Sequence, residues 1–139
     1  MFQHEIKIRV RYAETDKMGF VYYGNYATYF EVARVETFRE LGFSYLAMEE
    51  SGIMMPVLEL KSKYIRPAVY DDLLTIKTMI KELPNTRIKF EYEVRNEVNV
   101  LLNVAETSLV FVNATTKKPC TMPDYFLNFL KPYFENETT

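Results

Sequence analysis

The sequence predicts an α+β fold in which a five-stranded antiparallel sheet wraps around one long helix. Three observations lead there: strand-like segments with a two-residue alternation of apolar and polar side chains, one long segment with helical spacing, and very short links between the later strands. Short links join antiparallel neighbours, because parallel strands need long crossovers.

The first strand is marked by Ile6, Ile8 and Val10 alternating with Lys7, Arg9 and Arg11, which gives one apolar and one wet face. The long helix is predicted from about Tyr23 to Leu41. Tyr26, Tyr29, Phe30, Ala33, Phe38 and Leu41 recur at three- and four-residue steps there, and Gly42 supplies the stop. Val32 and Val35 lie off that stripe and have two readings, burial in an oligomer or ordinary scattered exposure. A short second helix is predicted over about Phe43 to Glu50, ending near Gly52.

Four further strands are predicted at about Val57 to Ile65, Leu73 to Leu83, Arg87 to Arg95 and Val100 to Val112. The third of them is the clearest, with Ile88, Phe90, Tyr92 and Val94 on one face and Arg87, Lys89, Glu91, Glu93 and Arg95 on the other. Turn formers fill the links at Pro67 to Asp72, Pro84 to Asn85 and Asn96 to Asn99. Pro123 and Asp124 suit the first turn of a terminal helix whose Phe126, Phe129, Leu130 and Tyr133 would cap an edge or an interface.

At 139 residues, with 48% hydrophobic and 26% charged residues, the chain is read as one domain spanning 1–139 around one core. Seventeen basic against nineteen acidic residues give a net charge of −2 with no basic block, which argues against a nucleic-acid partner. His4, Glu5 and Lys7 interrupt the N-terminus before an apolar signal core can form, and no apolar run has the length of a membrane span. The expected location is therefore the cytoplasm. The single Cys120 cannot form an internal disulfide, which is compatible with a reducing compartment.

The segment from Tyr12 to Glu31 holds two of the four glycines, Gly19 and Gly24, and sets Asp16 just ahead of the helix start. A helix N-terminus offers unpaired N–H groups and a partial positive charge, which suit a developing oxyanion. On the residues alone Asp16 has two readings: a base or nucleophile facing that end, or a turn and cap residue, since Thr15 and Asp16 both bond readily to nearby backbone. Other chemistries lack parts. His4 is the only histidine and is expected at a frayed terminus, which leaves a Ser-His-Asp or Cys-His enzyme without a fixed base. Cys120 beside Pro119 reads as a passive loop residue, and no His, Cys and carboxylate cluster has metal-ligand spacing.

The string DKMGFVYYGNY at Asp16–Tyr26 resembles the active-site signature of the hotdog-fold acyl-CoA thioesterases, in particular the 4-hydroxybenzoyl-CoA thioesterase and YbgC-like group. The segment RPAVYDDLL from Arg66 resembles the family's approach to its third strand, and the order of elements resembles the family over nearly the whole chain. The resemblance implies that Asp16 is the catalytic carboxylate, as nucleophile or as the base that activates water, and that the Tyr23 backbone N–H polarises the thioester carbonyl. Gly19 matches the loop glycine; Tyr22, Asn25 and Tyr26 match the positions lining that loop. YbgC-like members often have histidine where this chain has Tyr23, and the 4-hydroxybenzoyl-CoA members have proline where it has Gly24.

The implied substrate is an acyl-CoA or an acyl carrier protein thioester, with no cofactor beyond the CoA that belongs to the substrate. Lys61, Lys63, Arg66, Arg87, Lys89, Lys117 and Lys118 are the candidates to meet the CoA phosphates, one or two of them expected to do so and Lys63 and Arg66 put first, against the plainer reading of alternating strand cations as a solvated face. Met54, Met55 and Pro56 read either as adaptable neighbours of an acyl chain or as gap fillers. A homo-oligomer, as a dimer of dimers with the active site at a subunit boundary, is also implied by resemblance. The rival function is a hotdog protein that senses or carries acyl-CoA without cleaving it. The scarcity of histidine argues against the related dehydratases and hydratases.

Overall fold

The computed structural model describes residues 1–42 and 44–135. In chain order these are β1 (Phe2–Arg9), a 3₁₀ turn (Tyr12–Glu14), α1 (Asn25–Leu41), α2 (Tyr45–Glu50), β2 (Ile53–Met54) and β3 (Val57–Tyr64). There follow β4 (Leu73–Ile80), β5 (Arg87–Arg95), β6 (Leu101–Val110), β7 (Val112–Asn113), α3 (Asp124–Leu130) and a 3₁₀ turn at Lys131–Tyr133. Five strands form one sheet in the order β1-β4-β5-β6-β3, antiparallel throughout, and β2 pairs with β7 in a small second ribbon.

One face of the sheet carries the core against α1. Phe30 stacks on Tyr92 with ring centres 4.5 Å apart, and Phe38 meets Phe90 and Phe126 edge to face at 5.6 and 5.4 Å. All five rings are essentially buried, and burial of such side chains is the main source of stability here. Arg34 sits in the middle of this apolar stripe, 7% exposed. Its Nη1 donates to the Tyr92 hydroxyl at 3.1 Å, which in turn lies 2.7 Å from the Thr107 hydroxyl.

The elements follow the sequence prediction closely, and each departure has a local cause. α1 begins at Asn25 instead of Tyr23 because Tyr23 and Gly24 form a turn first, with the Asn25 N–H donating to Tyr22 O at 2.9 Å. α2 begins at Tyr45, where the Ser44 hydroxyl accepts the Ala47 N–H as an N-cap; the expected start at Phe43 lies outside the described residues. β4 ends at Ile80, a few residues before Pro84, which has no N–H to give to a ladder. The long last strand divides at Phe111, whose N–H donates to Thr86 O and whose carbonyl accepts from Cys120 N.

The N-terminus corrects an expectation. β1 is in full register with β4 from Phe2 opposite Ile80 to Arg9 opposite Leu73, and buried Phe2 packs edge-on to Tyr133 at 4.7 Å. His4 is thus held within a strand, 3.7 Å from Glu40 near the C-terminal end of α1, far along the helix from Asp16. In α3, Phe126 and Leu130 are buried and close the end of the core, while Phe129 and, in the 3₁₀ turn that follows, Tyr133 stay partly exposed. Among the described residues no helix is long and apolar enough to cross a membrane.

Candidate active site

The chain leaves β1 and is pinned at once. Val10 exchanges backbone bonds with Asp71 and Asp72, and the 3₁₀ turn brings Glu14 under the start of α1. The Glu14 carboxylate is 8% exposed and accepts at both oxygens. Oε1 takes the Arg11 N–H at 2.8 Å and the Tyr29 hydroxyl at 3.0 Å; Oε2 takes Arg11 Nη2 at 2.8 Å and Nε at 3.3 Å. The Glu14 carbonyl accepts the Tyr22 N–H at 2.9 Å and the Asn25 side-chain amide at 2.8 Å. One residue therefore ties together the end of β1, the head of α1 and the second turn of that helix.

Between Thr15 and Val21, which bridge each other, the chain makes a tight loop. The Asp16 N–H donates to Phe20 O at 2.8 Å, and the Gly19 N–H to Asp16 O at 3.0 Å; Gly19 has φ +82°, a conformation that favours glycine. Asp16 Oδ1 accepts the Met18 N–H at 2.9 Å and the Phe20 N–H at 3.3 Å. Oδ2 has no partner among the described residues. The loop is further fixed to the segment before β4 by the Val21 N–H to Ala68 O at 2.8 Å and by the Phe20–Val69 bridge.

Asp16 lines a cleft of about 290 Å³ together with Met18, Phe20, Tyr23, Tyr26, Tyr64 and Arg66. Tyr64, at the end of β3, lies edge-on to buried Tyr26 at 5.2 Å and reaches Tyr23 O at 3.5 Å. At the helix head the N–H groups of Tyr23 and Gly24 have no acceptor among the described residues. The Arg66 guanidinium likewise has no partner among the described residues, although its backbone N–H donates to Leu102 O. The cleft thus gathers a carboxylate with one free oxygen, a residue with an unpaired amide at the helix head, several aromatic rings and a free cation. Among the described residues no three His, Cys, Asp or Glu side chains are grouped to hold a metal ion.

A family model described as the thioesterase superfamily matches residues 18–103, from the cleft loop through α1 to β6. The chain belongs to the thioesterase superfamily. It is 35% identical over 116 residues to the acyl-CoA thioester hydrolase YbgC of Escherichia coli, covering 84% of this chain and 87% of that one. It is 31% identical over 133 residues to the acyl-CoA thioesterase YbgC of Helicobacter pylori, covering 90% and 98%. Its fold matches the DHNA-CoA thioesterase of Staphylococcus aureus with a TM-score of 0.89 at 38% identity, over 99% of this chain and 92% of that one. The fold is the hotdog fold.

Of the residues expected at the site, the structure of this thioesterase brings Asp16, Tyr23, Tyr26 and Arg66 to one cleft. Gly19 shapes the loop, and the Asn25 amide is spent on Glu14 O. Tyr22 lies against Tyr23 with ring centres 4.7 Å apart. A Cβ on Gly24 would fall 2.7 Å from the Tyr22 ring, so the glycine lets that ring lie over the helix head. Lys63 lies apart from this cleft. Tyr64 turns toward the cleft, strand alternation sends Lys63 to the opposite face of the sheet, and there it lines a separate hollow with Lys61, Glu91 and Glu106. Met54 pairs with Val112 in β2 and Met55 packs on the core, so neither lines the cleft.

Sequence reasoning missed Tyr64 and Ile65, although they directly precede the singled-out Arg66, and it missed Met18 and Phe20 inside the signature itself. It also missed Glu14 as the residue that fastens the loop. Burial disfavours the charged form of Glu14, yet the bonds from Arg11 and Tyr29 outweigh it and hold the carboxyl below its ordinary range. Burial and the Glu14 bond together push the Tyr29 phenol up. A lowered native pKa stabilises the fold above the unfolded value near 4.5, and that stability is lost as pH falls through the native value. Glu14→Gln is expected to cost about 1–3 kcal/mol at pH 7. In urea melts the difference from wild type should shrink at a pH below that of an ordinary glutamate; a difference independent of pH would refute the linkage.

Proposed function

We propose that the chain hydrolyses an acyl-CoA thioester to the free acid and CoA, with Asp16 and the Tyr23 N–H as its catalytic groups. The carrying observation is that Asp16, with Oδ1 bound to backbone and Oδ2 free, shares one cleft with the helix head at Tyr23. The thioester carbonyl oxygen receives the Tyr23 N–H, whose charge complement is strengthened by the α1 dipole. Asp16 then attacks the carbonyl carbon to give a mixed anhydride that water opens, or takes a proton from a water that attacks directly. Either way the C–S bond breaks, the sulfur leaves and is protonated to CoA thiol, and the acid is released. The chemistry asks for no cofactor. The free Arg66 guanidinium at the cleft is suited to a CoA phosphate.

The acyl group we assign is aromatic. Phe20, Tyr23, Tyr26 and Tyr64 line the cleft, and rings pack well against rings. The Staphylococcus aureus relative, named for DHNA-CoA, supports the same class. A sensor or carrier gains nothing from a carboxylate that opposes charge developing at the thioester, which favours hydrolysis over that reading. The setting we propose is the cytoplasm, where the free thiol of Cys120 is stable.

The working form we propose is a homodimer formed through β3, with pairing of two dimers as the larger assembly. β3 ends the sheet, so one row of its backbone groups lacks a ladder partner, and Leu58, Leu60 and Tyr64 on it are about half exposed. Tyr64, Ile65 and Arg66 belong to that edge and to the cleft alike, so a second copy docked there would complete the site.

Asp16→Asn should bind benzoyl-CoA and lose at least about 10²-fold in kcat, as should Tyr23→Pro, which deletes the N–H, whereas Tyr23→Ala keeps most of the rate. Undiminished turnover in Asp16→Asn would reject the catalytic assignment. Across a panel of acyl-CoA esters, kcat/KM should be highest for aromatic acyl groups; a preference for straight chains such as decanoyl-CoA would overturn that assignment. Light scattering should give two or four copies for the wild type and one for Leu60→Lys, with activity lost; an unchanged mass would count against the β3 interface.

A further inference from the structure

Glu14 lies two residues from Asp16 and does not line the cleft. Its side chain cannot act on substrate: a carboxylate has about four lone-pair sites, and Arg11 and Tyr29 fill all four. A cap for the 3₁₀ turn would need only the Arg11 bonds. The Tyr29 bond reaches instead to the second turn of α1, fifteen residues on, and the Glu14 carbonyl adds two bonds to the helix head through Tyr22 and Asn25.

Resting on the hydrolase reading above, we infer that Glu14 is a positioning residue that sets the spacing between the Asp16 carboxylate and the N–H donor at the head of α1. Asp16 rides on the loop and the Tyr23 N–H rides on the helix lead-in, two bodies that the chain joins only through a turn. Glu14 leads directly into the loop and is hydrogen-bonded to the helix lead-in at Tyr22 and Asn25 and to α1 at Tyr29. The charge it carries is kept buried by charged and phenolic donors, and such bonds are shorter and stronger than neutral ones. Their rigidity matters because the rate of an oriented attack falls steeply with misplacement, by about 10²-fold for about 1 Å. In Glu14→Gln an amide NH₂ replaces one acceptor oxygen and opposes Arg11 or Tyr29 donors, so the side-chain part of the anchor fails while the two carbonyl bonds to Tyr22 and Asn25 remain. Tyr29→Phe removes a single bond and keeps the buried ring.

The test is steady-state hydrolysis of benzoyl-CoA by the purified full chain, with Glu14→Gln, Tyr29→Phe and Asp16→Asn measured side by side. Glu14→Gln should lower kcat by about 10- to 100-fold with KM within about threefold of wild type. Tyr29→Phe should lower kcat by about 3- to 10-fold with KM unchanged, and it decides the matter should Glu14→Gln not fold. A general loss of folded enzyme would instead scale apparent activity with the folded fraction and disappear once rates are normalised to it. If Asp16→Asn is inactive while Tyr29→Phe and any folded Glu14→Gln keep kcat within twofold of wild type, positioning by Glu14 is overturned and the hydrolase reading stands. Full turnover by Asp16→Asn overturns the hydrolase reading and, with it, the role given to Glu14.

Discussion

Everything in this chain is referred to the seating of α1 in the hollow of the sheet. Phe30 on Tyr92 and Phe38 against Phe90 and Phe126 fix the helix along its length and about its axis. Because packed interiors tolerate little displacement, a helix held at these points also holds its own first turn. The cleft exists where that first turn meets the loop ahead of it and the last residues of the edge strand β3. The site is therefore a by-product of core packing at one end and of local hydrogen bonding at the other.

The two readings of Asp16 prove compatible. Its Oδ1 does what a turn aspartate does, taking the Met18 and Phe20 N–H groups, and this leaves Oδ2 oriented and unpaired. A side chain that is both immobilised and half free loses little entropy in a reaction, which is what a preorganised site requires. Glycine works in the same direction. Gly19 lets the loop turn at φ +82°, and Gly24 gives the Tyr22 ring room beside the helix start.

The strands and both longer helices were legible because burial imposes a period, and Ile88 to Val94 or Tyr26 to Leu41 display it without interruption. The loop carrying Asp16 was legible because glycine and aromatic residues concentrate there. What escaped has a common cause: it depends on the third dimension. Tyr64 faces the cleft and Lys63 faces away, a distinction of one residue that the strand's own exposed pattern does not reveal. Glu14 looks like any surface carboxylate until Tyr29 is brought beneath it. The N-terminus looked loose because its anchor, Tyr133, lies at the other end of the sequence.

Arg34 carries one more implication. A guanidinium in the middle of a hydrocarbon stripe has one address on the sheet at which its Nη1 finds an oxygen, the Tyr92 hydroxyl, itself bonded to Thr107. Were α1 to slide by a turn along the sheet, aromatic and aliphatic residues would still find greasy surroundings, but this cation would be stranded among them. Arg34 thereby acts as a key that admits only one alignment of helix on sheet, and it converts a permissive oily contact into a unique one.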